Sequence, residues 1–182
     1  MSSYQQLFDA AQMNDAIGQL AGQIAASFCN TKRKFALVGI HQLGVTLAKK
    51  LHEHLVQAGY QADFGMLDIT MYRDDIGTRK LLPMIHETVI PFDVNDLDII
   101  LVDDVLSTGR TIRAALDALT DYGRPGLIRL AVLVDRGEPE FPIRADFVGL
   151  NVTLPAERKV LVNFEDSSGL AAGIYDVNWN TK

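Results

Sequence analysis

Two adjacent carboxylates, Asp103 and Asp104, end an apolar run in "IILVDDVLSTGRTI" and lead into Ser107, Thr108, Gly109 and Thr111. A loop that enters a helix presents unpaired backbone N–H groups and the positive end of the helix dipole, which together favour a phosphate. The three hydroxyls add donors, and Gly109 lets the backbone turn closely around an anion. The aspartates repel a phosphate, so they suit sugar hydroxyls or a divalent cation held by oxygen ligands. Hydroxyls beside a terminal phosphate describe a ribose 5-phosphate. An ordinary strand-to-helix turn capped by Ser or Thr uses the same residue types, and composition alone leaves both readings open.

The surrounding elements must hold this turn at one end of a sheet. Ile17, Leu20, Ala21, Ile24 and Phe28 fall at helical spacing, and "KFALVGI" then reads as a buried strand. Val45, Ala48, Leu51 and Leu55 mark a second helix, "ADFGMLDITMY" a second strand, and "DIILVD" a third. Ile112, Ala115, Leu116 and Leu119 form the inner stripe of a helix stopped by "YGRPG"; "LIRLAVLVD", "ADFVGLNV" and "KVLVNF" are further strands. The alternation predicts one α/β domain, its core spanning about 14–165, with a mainly parallel central sheet flanked by helices. In such folds ligands sit beyond the carboxyl ends of the strands. Three ends therefore converge: His41–Gly44, Asp103–Thr111 and Asp135–Gly137. Residues 73–97, with Gly77, Pro83 and Pro91, read as a long loop, and long loops in compact domains are commonly functional.

Other classes drop out. Neither a GxxxxGK[ST] loop nor a GxGxxG fingerprint occurs, which removes the usual triphosphatase and dinucleotide readings. The net charge of −6 gives no overall attraction for nucleic acid, so any RNA contact needs a local basic patch. A single cysteine, Cys29, excludes an intramolecular disulfide and a cysteine-built zinc site; it is expected as a small buried hydrophobe near a helix end. No stretch has the length of a membrane span and no signal segment opens the chain, so the expected location is cytoplasmic.

"ILVDDVLSTGRT" closely resembles the phosphoribosyl pyrophosphate (PRPP) motif of the type I phosphoribosyltransferases. Together with "LDITMYRDD", "YGRP", "LAVLVDRG" and "PIRADFVG" it resembles the PyrR family, whose members regulate pyrimidine operons and act as uracil phosphoribosyltransferases. The resemblance implies the type I fold with a small hood and a mobile loop over about 73–97. It also implies displacement of pyrophosphate from PRPP by uracil to give UMP, with Mg²⁺ on the pyrophosphate. Asp103 and Asp104 would then meet the ribose hydroxyls, or the metal through water, and Val105, Leu106, Ser107, Thr108, Gly109, Arg110 and Thr111 would surround the 5-phosphate. Arg73 would contact pyrophosphate, with Arg79 and Lys80 in the mobile loop. His41, Gln42, Leu43 and Gly44 would form the pyrophosphate turn, and Asp135, Arg136 and Val160 would lie near the base. Ser107 stands where purine-specific relatives carry an aspartate, which favours a pyrimidine. UMP or UTP as ligands and a homodimer or larger assembly are further implications.

Two departures from the family pattern bear on function. "GIHQLG" lacks the arginine that catalytic members carry in the pyrophosphate turn; Leu43 is expected to face a polar ligand there, His41 to supply a ring contact, and Gly44 to keep backbone flexibility. RNA-binding members carry basic residues where this chain has Glu138 and Glu140, and negative charge near a phosphate backbone removes counterion release and adds repulsion. Arg144, Arg158, Lys159 and the run Lys32–Lys34 remain as cations. Binding of pyr leader RNA is thus implied by the family and disfavoured by these residues. The alternative to turnover is a weakly catalytic or non-catalytic sensor of PRPP or UMP that acts through leader RNA or a protein partner.

Overall fold

Phe35–Ile40 is buried at every position, as a strand covered on both faces must be, and it sits inside a five-stranded parallel sheet. The computed structural model describes residues 4–29, 31, 33–74, 84–165 and 169–178. In chain order the elements are β1 (Tyr4–Asp9), α1 (Ala10–Phe28), β2 (Phe35–Ile40), α2 (Leu43–Gln57) and β3 (Ala62–Leu67), then a single 3-10 turn at Thr70–Tyr72. They continue as β4 (Asp98–Leu106), α3 (Arg110–Thr120), β5 (Leu127–Asp135), β6 (Phe147–Asn151), β7 (Arg158–Asn163) and β8 (Gly173–Asn178). The main sheet runs β3-β2-β4-β5-β6, and β1-β8-β7 form a separate antiparallel hood.

Helix α1 begins on a reciprocal cap. Asp9 accepts from the Gln12 N–H at 2.9 Å while the Gln12 side chain accepts from the Asp9 N–H at 3.0 Å. Its stripe of Met13, Ile17, Leu20, Ile24 and Phe28 is buried with Leu47, Leu51 and Leu55 of α2. Truncating one of these leucines to alanine costs about 2–5 kcal/mol. Ile112, Ala115 and Leu119 of α3 pack with Ile99, Leu101 and Val132 in a second cluster. Among the described residues no helix is long and apolar enough to cross a membrane.

Both outer edges of the main sheet are occupied. Met66 on β3 exchanges two backbone hydrogen bonds of 2.8 Å with Val89, and Gly65 leaves room for the Val89 carbonyl and the Phe92 ring. This fixes residues 84–97, the return limb of the long loop expected at 73–97, against the sheet, with Val94 fully buried. At the other edge the Gln23 side chain pairs with both backbone groups of Val148 on β6, at 2.9 and 3.3 Å. In the hood, Arg158 donates to the buried Asp176 at 2.7 Å, and the carboxylate raises the guanidinium pKa above its ordinary value.

Cys29 departs from expectation. It is exposed, because it lies one residue past Phe28, the last inward position of the α1 stripe.

Candidate functional site

Strand β4 does not stop at the aspartates. It runs on to Leu106, and Val105 and Leu106 pair with Val134 and Asp135 of β5. The carboxylates are thereby held by a ladder rather than a loose tip. Asp103 is 7% exposed, and one of its oxygens accepts from the Asp104 N–H at 3.0 Å. Burial pushes the Asp103 carboxyl well above the usual carboxylate range, the adjacent Asp104 adds to the rise, and Arg73 opposes it. Burial raises Asp104 as well, offset in part by hydrogen bonds from Asp103 and the local backbone. Such a pair is comfortable as two anions only when a cation or a set of hydroxyls faces it.

A cavity of about 340 Å³ opens before this pair. His41 and Gln42 line it from the end of β2, and Asp68, Ile69, Thr70 and Arg73 from the end of β3. Asp103, Asp104, Val105 and Thr111 come from β4 and α3, and Met84 and His86 from the return limb. Of the three expected strand ends, the first and second therefore meet here, through His41 and Gln42 and through Asp103, Asp104, Val105 and Thr111, while Asp135–Gly137 lies elsewhere.

The turn after β4 is built for close approach of an anion. Gly109 has φ +86°, a left-handed conformation that strains any side chain, and it opens α3 without a side-chain cap of its own, while the Arg110 N–H makes a long contact of 3.4 Å to the Thr108 hydroxyl. Thr108 offers its carbonyl to the Glu140 and Phe141 N–H groups at 2.9 and 3.2 Å, which binds residues 137–143 to the turn as a strap. Arg110 donates to Glu140 at 2.8 Å and to Asp74 at 2.6 Å, and its guanidinium lies over the Phe141 ring. Leu106 is buried in the core, so only its backbone can serve this turn.

At the end of β2 the His41–Gln42 peptide is cis. The His41 N–H donates to the Leu67 carbonyl at 3.0 Å, and the His41 ring stacks on His86 with centroids 5.0 Å apart. Leu43 differs from expectation: it packs against the core cluster and borders a separate recess beside Phe164, because the first turn of α2 rolls its side chain away from the cavity. Gly44 also has another role. A Cβ there would lie 2.5 Å from the Val102 carbonyl, so the glycine permits helix and strand to touch rather than the backbone to flex.

Asp135, Arg136 and Val160 do not line this cavity. Asp135 accepts from the Gly137 N–H at 2.8 Å. Arg136, 6% exposed, donates to Glu138 at 3.1 Å, the Pro155 carbonyl at 3.3 Å and the Ser107 hydroxyl at 3.5 Å. Val160 lies on β7 against the core. Lys32, Arg79 and Lys80 fall outside the described residues.

Three polar lining residues, Asp68, Thr70 and His86, were not singled out from the sequence, nor were the apolar Ile69 and Met84. Asp68 accepts from the Thr70 N–H at 2.6 Å and from the His86 N–H, while its own N–H donates to Thr88 at 2.9 Å. Burial works against its charge, yet the hydrogen bonds from Thr70 and His86 and the nearby His41 ring outweigh it and hold the carboxyl below its ordinary pKa. The signal was available: Asp68 is the first residue past β3, as strand-end logic requires. His86 carries no local signal, since contacts distant in sequence, the Met66–Val89 bridge and the bonds of Asp68 to His86 and Thr88, bring it there.

The family model described as "Phosphoribosyl transferase domain" matches residues 3–160. A protein of Roseiflexus sp., named "Bifunctional protein PyrR", is 47% identical over 173 residues, covering 94% of each chain. The chain belongs to the PyrR family of phosphoribosyltransferases. A PyrR protein of Thermus thermophilus is 48% identical over 165 residues, 90% of this chain and 91% of its own. The fold is shared more widely than the family. A hypoxanthine-guanine phosphoribosyltransferase of Bacillus anthracis, only 15% identical, superposes with TM-score 0.72 over 94% of this chain and 96% of that one. A hypoxanthine phosphoribosyltransferase of Trypanosoma cruzi gives 0.72 at 16% identity, over 93% and 92%. This PyrR family member therefore has the type I phosphoribosyltransferase fold.

Proposed function

We propose that this chain transfers the phosphoribosyl group of PRPP to uracil, giving UMP and pyrophosphate, and that it reports on pyrimidine supply in the manner of its family. The observation that carries the reading is the Asp103–Asp104 pair, the first buried and the second half-buried, facing the same cavity as Arg73 and Thr111, beside the left-handed turn at Gly109. The turn from Ser107 to Thr111 takes the 5-phosphate through backbone N–H groups and hydroxyls. Asp103 and Asp104 take the ribose hydroxyls, whose O–H groups relieve the crowding of two carboxylates. Arg73 faces the leaving group and balances part of its charge. As C1 parts from pyrophosphate the sugar becomes oxocarbenium-like, and the anionic pair beneath the ribose stabilises that positive charge.

Mg²⁺ is the implied cofactor. Among the described residues no cluster of three or more ligating side chains forms a cage. The carboxylates of Asp103 and half-buried Asp104, set before an open cavity, fit a cation that would come with the pyrophosphate, and these two residues would hold it through water. Its chemistry there would be to neutralise the departing anion.

The regulatory output through RNA has less support. Glu140 and Glu138 occupy Arg110 and Arg136 in internal ion pairs, which leaves the strap without a cation to offer a phosphate backbone.

The test is UMP formation from uracil and PRPP with Mg²⁺, comparing the wild type with Asp104→Asn/Thr108→Ala. Turnover that falls on the order of 10²-fold or more in the double variant supports the assignment. A wild type that binds UMP at this turn but shows no turnover makes the chain a sensor.

A further inference from the structure

The described lining of the cavity carries three carboxylates, Asp68, Asp103 and Asp104, against one guanidinium, that of Arg73. A pyrophosphate brought here with one Mg²⁺ still has net negative charge, and such a wall repels it unless further N–H donors face it. Asp68 does not ease the problem, because its hydrogen bonds keep it ionised. Beside the Gln42 amide and the Thr70 and Thr111 hydroxyls, the described lining offers the imidazoles of His41 and His86.

These two rings come from elements far apart in the chain, yet they are set face to face with planes only 11° apart. The His41 Nε2–H donates to the Glu87 carbonyl at 3.3 Å, and the Gln42 amide N–H donates to His86 Nε2 at 3.0 Å, so the ring N–H left to face an anion is that on His86 Nδ1. The His86 backbone N–H is anchored on Asp68. The ring and amide contacts join the turn after β2 to the return limb and the Asp68 contact joins the end of β3 to it, on the side where the expected arginine is missing and Leu43 packs against the core.

We propose that the stacked imidazoles of His41 and His86 form the pyrophosphate-facing wall of the cavity, with His86 both donating to the anion and holding the His41 ring in place. The assignment rests on the transferase reading of this site. His86 thereby makes the leaving-group subsite a joint product of two segments, complete only when the return limb is docked.

Calorimetric titration with Mg²⁺-pyrophosphate, and separately with UMP, tests this on the wild type, His86→Ala and His86→Phe. UMP has no pyrophosphate and reports the integrity of the 5-phosphate turn. The expected result is a loss of tenfold or more in Mg²⁺-pyrophosphate affinity in His86→Ala, with UMP affinity within twofold of wild type. His86→Phe keeps a stacking ring without a donor and should recover only part of the loss. Unchanged pyrophosphate affinity in His86→Ala, an equal loss for UMP, full recovery in His86→Phe, or a wild type that fails to bind Mg²⁺-pyrophosphate would each overturn the proposal. A wild type that binds pyrophosphate in this pattern but forms no UMP would overturn the transferase reading and leave the histidine wall standing.

Discussion

Arg110, on the first turn of α3, and Glu140, on the strap after β5, meet across the phosphate turn at 2.8 Å. The glutamate that looked like a free negative charge is thus half of an ion pair, and the same arginine reaches Asp74 at 2.6 Å. Both members are about half exposed, so the pair adds less than about 1 kcal/mol to global stability. Its effect should be local. Glu140→Gln is expected to leave the melting temperature within about 2 °C and to raise KM for PRPP about two- to fivefold, read in steady-state kinetics.

The same pairing bears on nucleic acid. Filter binding of pyr leader RNA between 50 and 200 mM salt should show weak affinity with a shallow salt slope, because each phosphate contact contributes about −0.9 or less to that slope. A slope of several units, abolished by Arg144→Ala, would show that RNA uses a basic surface away from the strap.

Asp103 supplies a pH prediction. Its carboxyl is raised in the folded protein, first by burial and then by Asp104, so the unfolded chain releases this proton at lower pH than the folded one. Stability from this group is complete below its unfolded pKa and declines as pH rises through the higher folded value. Asp103→Asn removes the ionisable group and should raise the melting temperature at pH 8. The gain should vanish below about pH 4. Thermal melts across pH 3.5 to 8 check the sign, and a gain that grows on acidification would refute it.

Gly44→Ala places a methyl group 2.5 Å from the Val102 carbonyl, with Asp103 directly behind it. Backbone on both sides cannot yield cheaply, and a loss of roughly 1–3 kcal/mol is expected from chemical denaturation. Because the clash displaces the strand that holds Asp103, activity should fall more steeply than stability.

Leu43→Arg tests the position of the missing arginine. The native side chain packs on the core beside α2, so the substitution should destabilise the fold without raising turnover. Increased turnover would mean that the arginine side chain rotates into the cavity.

The central strands were legible because burial on both faces writes itself as unbroken apolar runs: "FALVGI" and "LIRLAVLVD" fall on β2 and β5. The Asp103–Thr111 turn was legible because its chemistry is contiguous. The hood was less so. β1 is mostly exposed and β8 pairs with strands at both ends of the chain, so neither has a local pattern that distinguishes it from loop. His86 and Asp68 were missed for a related reason: their meaning arises from contacts between segments 18 residues apart. Leu43 was misread because a single turn of helix decides which way a residue after a strand end faces.

The two occupied sheet edges constrain how copies of this chain can meet. With Val89 bonded to Met66 on β3 and Gln23 imitating a neighbouring strand at Val148 on β6, each border of the main sheet is interrupted at one point instead of presenting an open ladder of N–H and C=O groups. A second copy cannot extend the main sheet past these points without displacing them. Contacts on this layer therefore favour helix and loop surfaces, where affinity can be tuned by point substitutions without disturbing the strands that hold the reactive groups.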